Sequence, residues 1–439
     1  MKKFIILLII LSQCSFDNKT GIWQNNSQVA SKNDTRFKDF ETLYTKEKSF
    51  DLVIAPKNNF QPPLTKSKIN LKWTDEFYQS SNNLENFSYK NLNEVIFKSK
   101  KISRHKLNEK ILFDGNNIII NDIKGNIIVY SVSEQQIIYK YNFYKKKYKK
   151  LKKNLRIVNG ENIIYIADNI GYLYAINYID QKLIWAKNYK IPFRSNLKLQ
   201  DDKIIIADQN NSLYLINKND GEITKKIPTE ETILKNNFIN SITNNEKSLF
   251  YLNTYGSLYS ISNNNSRINW FINLNQSSDL NLSNLFFSNP LTMHKDLLVV
   301  STDPYLYILN SRTGSTVSRT PVTSILKPII IKEGLFLITK DNLLVYIDFK
   351  SKKVIYSLDI TKKIADFLDT KEKTIKIKFF SIVNDNIFIF LENSYLVKFD
   401  INGKINDINK LPIKMNNLPI FINDSILYFN KSNRLVILN

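Results

Sequence analysis

The sequence predicts an all-β fold, an eight-bladed β-propeller of four-stranded antiparallel blades, from three observations. From Ile118 to the C-terminus one phrase recurs: an apolar strand, a polar turn, then a second strand ending in an aromatic or branched residue. Aligning the copies on Tyr130, Tyr174, Tyr214, Tyr259, Tyr307, Tyr346, Val397 and Val436 gives eight units. Their period of roughly 40–50 residues, with several short strands each, is that of propeller blades. The third observation is the last copy, which ends at Asn439 directly after its second strand. A closed ring then requires its final blade to be completed by strands from the N-terminal side, which also removes a frayed sheet edge.

The elements follow in chain order. Met1-Lys2-Lys3 and the apolar run Phe4–Leu11 read as an export signal, too short to span a bilayer. The run ends at Cys14, the only cysteine of the chain, so no disulfide framework is available and stability must come from packing. Residues 14–49 are polar and read as a flexible tether; about thirty such residues span roughly 30 Å. The propeller is assigned to residues 50–439. Within it Phe50–Ile54, Ile69–Trp73 and Val95–Phe97 are strand-like, and the last two are the expected suppliers of the missing strands of the final blade.

The hairpins follow. The clear ones are Asn162–Tyr178, Lys203–Lys218, Ser248–Asn263 and Asp296–Ser311; weaker ones are Asn117–Glu134, Gly334–Phe349, Asn386–Ile401 and Ser425–Asn439. Ile163–Ile166 and Leu297–Val300 are continuously apolar, as expected of strands covered on both faces. Trp185 and Trp270 recur at matching distances after Tyr174 and Tyr259, placed to fill the gap between adjacent blades. The turns rely on Asn and Asp, for the chain holds only 10 Gly; both side chains tolerate left-handed backbone.

The net charge of +22 would suit an acidic partner or an anionic membrane, and equally follows from a general preference for Lys, Asn and Ile. The run Lys145–Lys153 interleaves Tyr144 and Tyr148, which a nucleic acid could use for stacking, but it reads as a solvated loop beside a membrane, and no nucleic-acid partner is expected. His105 and His294 stand in unlike contexts, so neither a metal site nor a proton-transfer pair is expected. No Gly-x-Ser-x-Gly, phosphate loop or paired-cysteine motif is present.

Leu11-Ser12-Gln13-Cys14 resembles the lipobox of bacterial lipoproteins, which implies lipidation at Cys14, although Gln13 stands where a small residue is usual. Ser15 follows where lipoproteins kept in the inner membrane often carry Asp, which implies the periplasmic face of the outer membrane. The units Gly171–Asn177 with Trp185, and Gly256–Ser262 with Trp270, resemble the PQQ-like repeat. Together these features resemble the BamB family of lipoproteins, which serve the machine inserting β-barrel proteins into the outer membrane. The resemblance implies a non-catalytic, monomeric scaffold without cofactor. Its partners would be the periplasmic domains of a BamA-like barrel subunit and, by β-augmentation, unfolded outer-membrane proteins. It also implies a partner-binding pair in the loop after Trp185, with Phe193 as apolar anchor and Arg194 as charge-assisted donor. The competing class is a propeller that binds a small ligand in its central funnel or acts as a quinone-dependent dehydrogenase. Against it stand the missing second cysteine and the loss of the repeat's Trp from most copies, as at Glu222–Lys225.

Overall fold

The computed structural model describes residues 14–16, 23–25, 50–57, 60–144, 148–232, 240–275 and 286–439. The expected signal peptide, residues 1–13, lies outside the described residues, as does most of the expected tether. Within that stretch Cys14–Phe16 pairs with Trp23–Asn25 as a small antiparallel sheet.

From residue 50 onward the chain forms eight antiparallel sheets. Taking strands from the axis outward, blade 1 is Leu112–Phe113, Asn117–Asn121, Asn126–Ser131 and Gln136–Asn142. Blade 2 is Leu155–Gly160, Ile163–Asp168, Tyr172–Asn177 and Lys182–Asn188. Blades 3 to 6 repeat this order, beginning at Lys198, Ser241, Thr292 and Ile329. Blade 7, Ile377–Val383 through Ile405–Lys410, carries Asn86–Phe87 as an extra parallel strand on its inner edge. Blade 8 is Ile420–Ile422, Ser425–Phe429 and Leu435–Leu438, completed on its outer edge by Val95–Lys98.

The repeat has a local cause. Second and third strands are apolar at nearly every position and buried throughout, as in Ile164 to Ala167 and Leu335 to Ile338. In five of the blades an Asp or Asn ends the second strand and folds its side-chain oxygen over the turn. Asp168 Oδ1 accepts from the backbone N–H of Ile170, Gly171 and Tyr172 at 2.8 Å each, and Asp122, Asp208, Asn253 and Asn430 cap equivalent turns. In every blade the pairing of third to fourth strand shifts register at one place, from Val129/Tyr130 in blade 1 to Ile437/Leu438 in blade 8. Such a bulge bends and twists the outer strand. Its presence in blade 8 shows that Val95–Lys98 takes the place of an ordinary fourth strand.

Trp185 and Trp270 sit between blades, as expected. The Trp185 Nε1–H donates to the Lys218 carbonyl at 2.8 Å and Trp270 Nε1–H to that of Ser311 at 3.1 Å. Each indole lies over a glycine of the next blade: a Cβ at Gly221 would stand 2.6 Å from Trp185, and one at Gly314 2.7 Å from Trp270.

The expectation for Ile69–Trp73 is corrected. This segment adds no outer strand to blade 8, which needs only one. Ile69 and Leu71 are exposed, while Asn70 and Trp73 are buried against the inner strands: Asn70 Nδ2–H donates to the Phe421 carbonyl of blade 8, and Trp73 pairs with Phe113 of blade 1. Phe50–Ile54 runs instead along an outer edge, Ile54 pairing with Ser357 of blade 6.

Candidate functional site

The axis of the ring is the place where a propeller most often binds something, and here the chain fills it with itself. A loop from Trp73 to Phe87 enters beside blade 1, crosses the axis and returns along blade 7. Asn82 Nδ2–H donates to the carbonyls of Ile242 and Leu291, the inner strand of blade 4 and the lead into blade 5. Asn83 bonds Ile330 of blade 6 in both directions, through its Nδ2–H and its Oδ1. The backbone N–H of Asn159, Asn244 and Met293, in blades 2, 4 and 5, donates to Thr74, Ser80 and Ser81.

Charged groups converge with it. Lys198 of blade 3, 1% exposed, donates through Nζ to Asp75 Oδ2 at 2.7 Å, to the Gln79 carbonyl at 2.9 Å and to Asn82 Oδ1 at 2.6 Å. Burial pushes the Lys198 pKa down, and Asp75 opposes that shift. Glu76 pairs with Arg156 of blade 2 at 3.1 Å and accepts from the Ile157 N–H. A buried charge is costly unless paired and hydrogen-bonded. Asp75 and Glu76 are therefore committed to holding the loop in place.

Two openings remain at the ends of the axis. One, on the side of the tight turns between first and second strands, is a cleft of about 840 Å³ that includes His294 and Lys295. The other, on the side of the long connections between blades, is lined by Lys110, Lys327 and Lys378 over Trp73 and Phe77.

The loop after Trp185 lies on that second side. Phe193 is only 6% exposed and packs between blades 2 and 3 with Tyr189, so it supports the loop from beneath and does not stand out as the expected apolar anchor. The cause is local pairing: Phe193 forms a bridge with Asp208, which turns its ring inward. Arg194 is half-buried; burial pushes its pKa down, and the neighbouring Tyr251 and Asp208 oppose that shift. The exposed cation of this loop is Lys190, beside the half-buried Ile191 and Pro192.

Other candidates separate. Tyr144 donates to Asp168 Oδ2 at 2.6 Å and Tyr148 packs on Tyr172, so neither ring is offered to a nucleic acid. His105 and His294 sit at opposite ends of the ring, His105 held near the blade 8 turn by Asn433 and His294 in the 840 Å³ cleft. Among the described residues no cluster of His, Cys, Asp and Glu is arranged to hold a metal ion, and no helix is long and apolar enough to cross a membrane.

Residues 145–358 match a family model described as outer membrane protein assembly factor BamB. BamB from Moraxella catarrhalis superposes with a TM-score of 0.56 at 11% identity, over 79% of this chain and 97% of that one. The fold is that of a PQQ-like β-propeller, and over residues 145–358 the chain is similar to the BamB type. The quinohemoprotein alcohol dehydrogenase from Comamonas testosteroni superposes on this propeller with a TM-score of 0.61 at 7% identity, over 85% of this chain and 81% of that one. A europium-containing methanol dehydrogenase does so at 0.56 and 10%, over 83% and 89%. At these identities the likeness is one of fold. No curated protein matches the chain by sequence. The dehydrogenase neighbours raise the question whether a quinone fits, and the residues present do not suit one on the axis. The ring has Trp73 to Phe87 across its centre, with Asp75 and Glu76 already bound to Lys198 and Arg156.

Proposed function

We propose that this propeller is an exported, lipid-anchored scaffold of the machinery that assembles β-barrel proteins in the bacterial outer membrane. Cys14 carries the lipid and holds the ring at the periplasmic face. The side of the long connections meets the periplasmic domains of the central barrel subunit, and the loop 189–194 takes part. Lys190 and Arg194 supply charge there, and Phe193 holds the loop's shape. Exposed outer strands, such as Ile268–Asn273 with Phe271 at 53% exposure, offer edges to incoming extended chains.

The observation that carries this reading is the occupied axis. A ring whose centre is closed by its own chain offers a partner its faces and rim, and those are what a scaffold uses. Its role is then to hold other proteins in register, with charge complementarity speeding encounter more than setting affinity.

The test is co-purification from envelope membranes with the full lipidated chain. A barrel subunit with periplasmic domains should be recovered with the native chain and lost with Lys190→Glu together with Arg194→Glu. Recovery of no such subunit, or release of a quinone absorbing beyond the aromatic band from the purified chain, would overturn the proposal.

A further inference from the structure

The second opening, on the side of the long connections, has a composition that the scaffold role does not use. Its cavity measures about 200 Å³ and shares Glu76, Phe77, Glu109, Lys110, Asn289 and Pro290 with a wider vestibule of about 490 Å³. The inner wall is apolar: Trp73 and Leu84 from the axial loop, Ile111 before blade 1, Phe380 of blade 7, and Leu418 and Ile420 at blade 8. Three lysines from three parts of the ring reach it, Lys110 before blade 1, Lys327 before blade 6 and Lys378 in blade 7.

Among the described residues none of the three ammonium groups is in an ion pair; rings and carbonyls hold them. Lys110 Nζ lies 4.8 Å and Lys327 Nζ 5.8 Å from the centre of the Phe77 ring, two cations on one aromatic side chain. Lys327 donates to the Phe77 and Asn82 carbonyls of the axial loop, and Lys378 to that of Asn416. Among the described residues the ion pairs here belong to others, Arg156 with Glu76 and Lys198 with Asp75. Glu76, Glu109 and Asp75 act on Lys110, and Glu109 and Glu392 on Lys378, while Lys106 and Lys431 add positive charge beside Lys378. Burial pushes the pKa of Lys110, Lys327 and Lys378 down, and a bound anion would oppose that shift.

We propose that this end of the axis is a binding site for a carboxylate carried on an apolar chain. The chain would lie against Trp73, Leu84 and Leu418, and the carboxylate would accept hydrogen bonds from Lys110 and Lys378. An anion supplies the charge these groups lack, and an apolar body suits walls that offer few polar partners. Size sets the class further. About 200 Å³ is below the roughly 300–1,000 Å³ of drug-sized sites, so a medium-chain aliphatic acid fits and a polycyclic ligand does not. The axial loop then does more than close the ring: its Trp73, Phe77 and Leu84 form the floor of the site. This inference is independent of the scaffold reading.

Octanoate, titrated calorimetrically into the full chain, tests it, with octanol as the uncharged chain of equal length. One saturable octanoate site is expected, at least tenfold tighter than for octanol. Lys110→Gln with Lys378→Gln should weaken octanoate at least tenfold and leave octanol unchanged; Lys327 is spared because it also holds the axial loop. Leu418→Trp, which fills the cavity without touching a charge, should abolish both. The proposal fails if octanoate shows no saturable binding, if octanol binds equally well, or if Leu418→Trp leaves octanoate binding intact.

Discussion

Lys198→Met is the most informative single change in this molecule. The Lys198 ammonium makes three hydrogen bonds, all to the axial loop, and Lys198 and Asp75 are 1% and 5% exposed. Methionine keeps the volume and removes the charge, so Asp75 is left as a buried carboxylate beside an apolar side chain. Breaking a buried pair in this way costs about 3–5 kcal/mol, most of it the stranded charge. At about 1.4 kcal/mol per tenfold, a loss near 4 kcal/mol is close to a thousandfold in the opening equilibrium of the loop. Amide hydrogen exchange across residues 73–87 reads that equilibrium directly. The single variant should lose about three orders of magnitude of protection there, with the outer strands little changed. Lys198→Met with Asp75→Asn should recover at least half of that loss on a logarithmic scale, because no charge is then stranded. If the single variant loses less than tenfold, or if the double variant is worse than the single, the axial loop is not held by this pair.

Three further outcomes are expected. Gly221→Ala, at φ +71° with its Cβ position 2.6 Å from the Trp185 ring, should cost about 1–2 kcal/mol for the left-handed backbone and a further ~1–3 kcal/mol for overpacking, read by urea denaturation. Burial raises the pKa of Tyr174, Tyr251 and Tyr356 well above the ordinary tyrosine value, and that of Tyr165 and Tyr214 to about 12. Since the folded values lie above the unfolded one, this stabilisation is complete below about pH 10 and is lost as pH rises through the folded values, so the share of tyrosinate absorbance due to these five rings should appear only together with loss of β-sheet signal. A chain beginning at Ser99 lacks both the axial loop and the strand that closes blade 8, and should self-associate by light scattering through the bare edge of Leu435–Leu438, whereas one beginning at Glu94 keeps that strand and should remain monomeric.

The eight hairpins were legible in the sequence because each carries its own evidence: an apolar second strand, a polar turn, and an apolar third strand. The interblade places of Trp185 and Trp270 were legible for the same reason, as features repeated at a fixed offset. The innermost strands were not, since Leu112–Phe113 and Ile329–Ile330 are two residues each and owe their conformation to the neighbours around the axis. The axial loop was hidden more deeply. Its Asp75, Glu76, Asn82 and Asn83 look like solvent-exposed residues in sequence, and their burial makes sense only with Lys198, Arg156 and Ile330, which lie 80 to 247 positions away. Phe193 was expected as an apolar anchor only through the family resemblance, and the burial of its ring, set by the pairing of its backbone with Asp208, had no signal in the sequence.

The order in which this chain is written has a bearing on how it can be made. The segment that occupies the centre precedes every blade, and the residues flanking it find their partners last: Asn70 pairs with Phe421, 351 residues later, and Val95–Lys98 with Leu435–Leu438. Closing the ring joins segments as far as 351 positions apart, and pairing over such a sequence distance forms slowly.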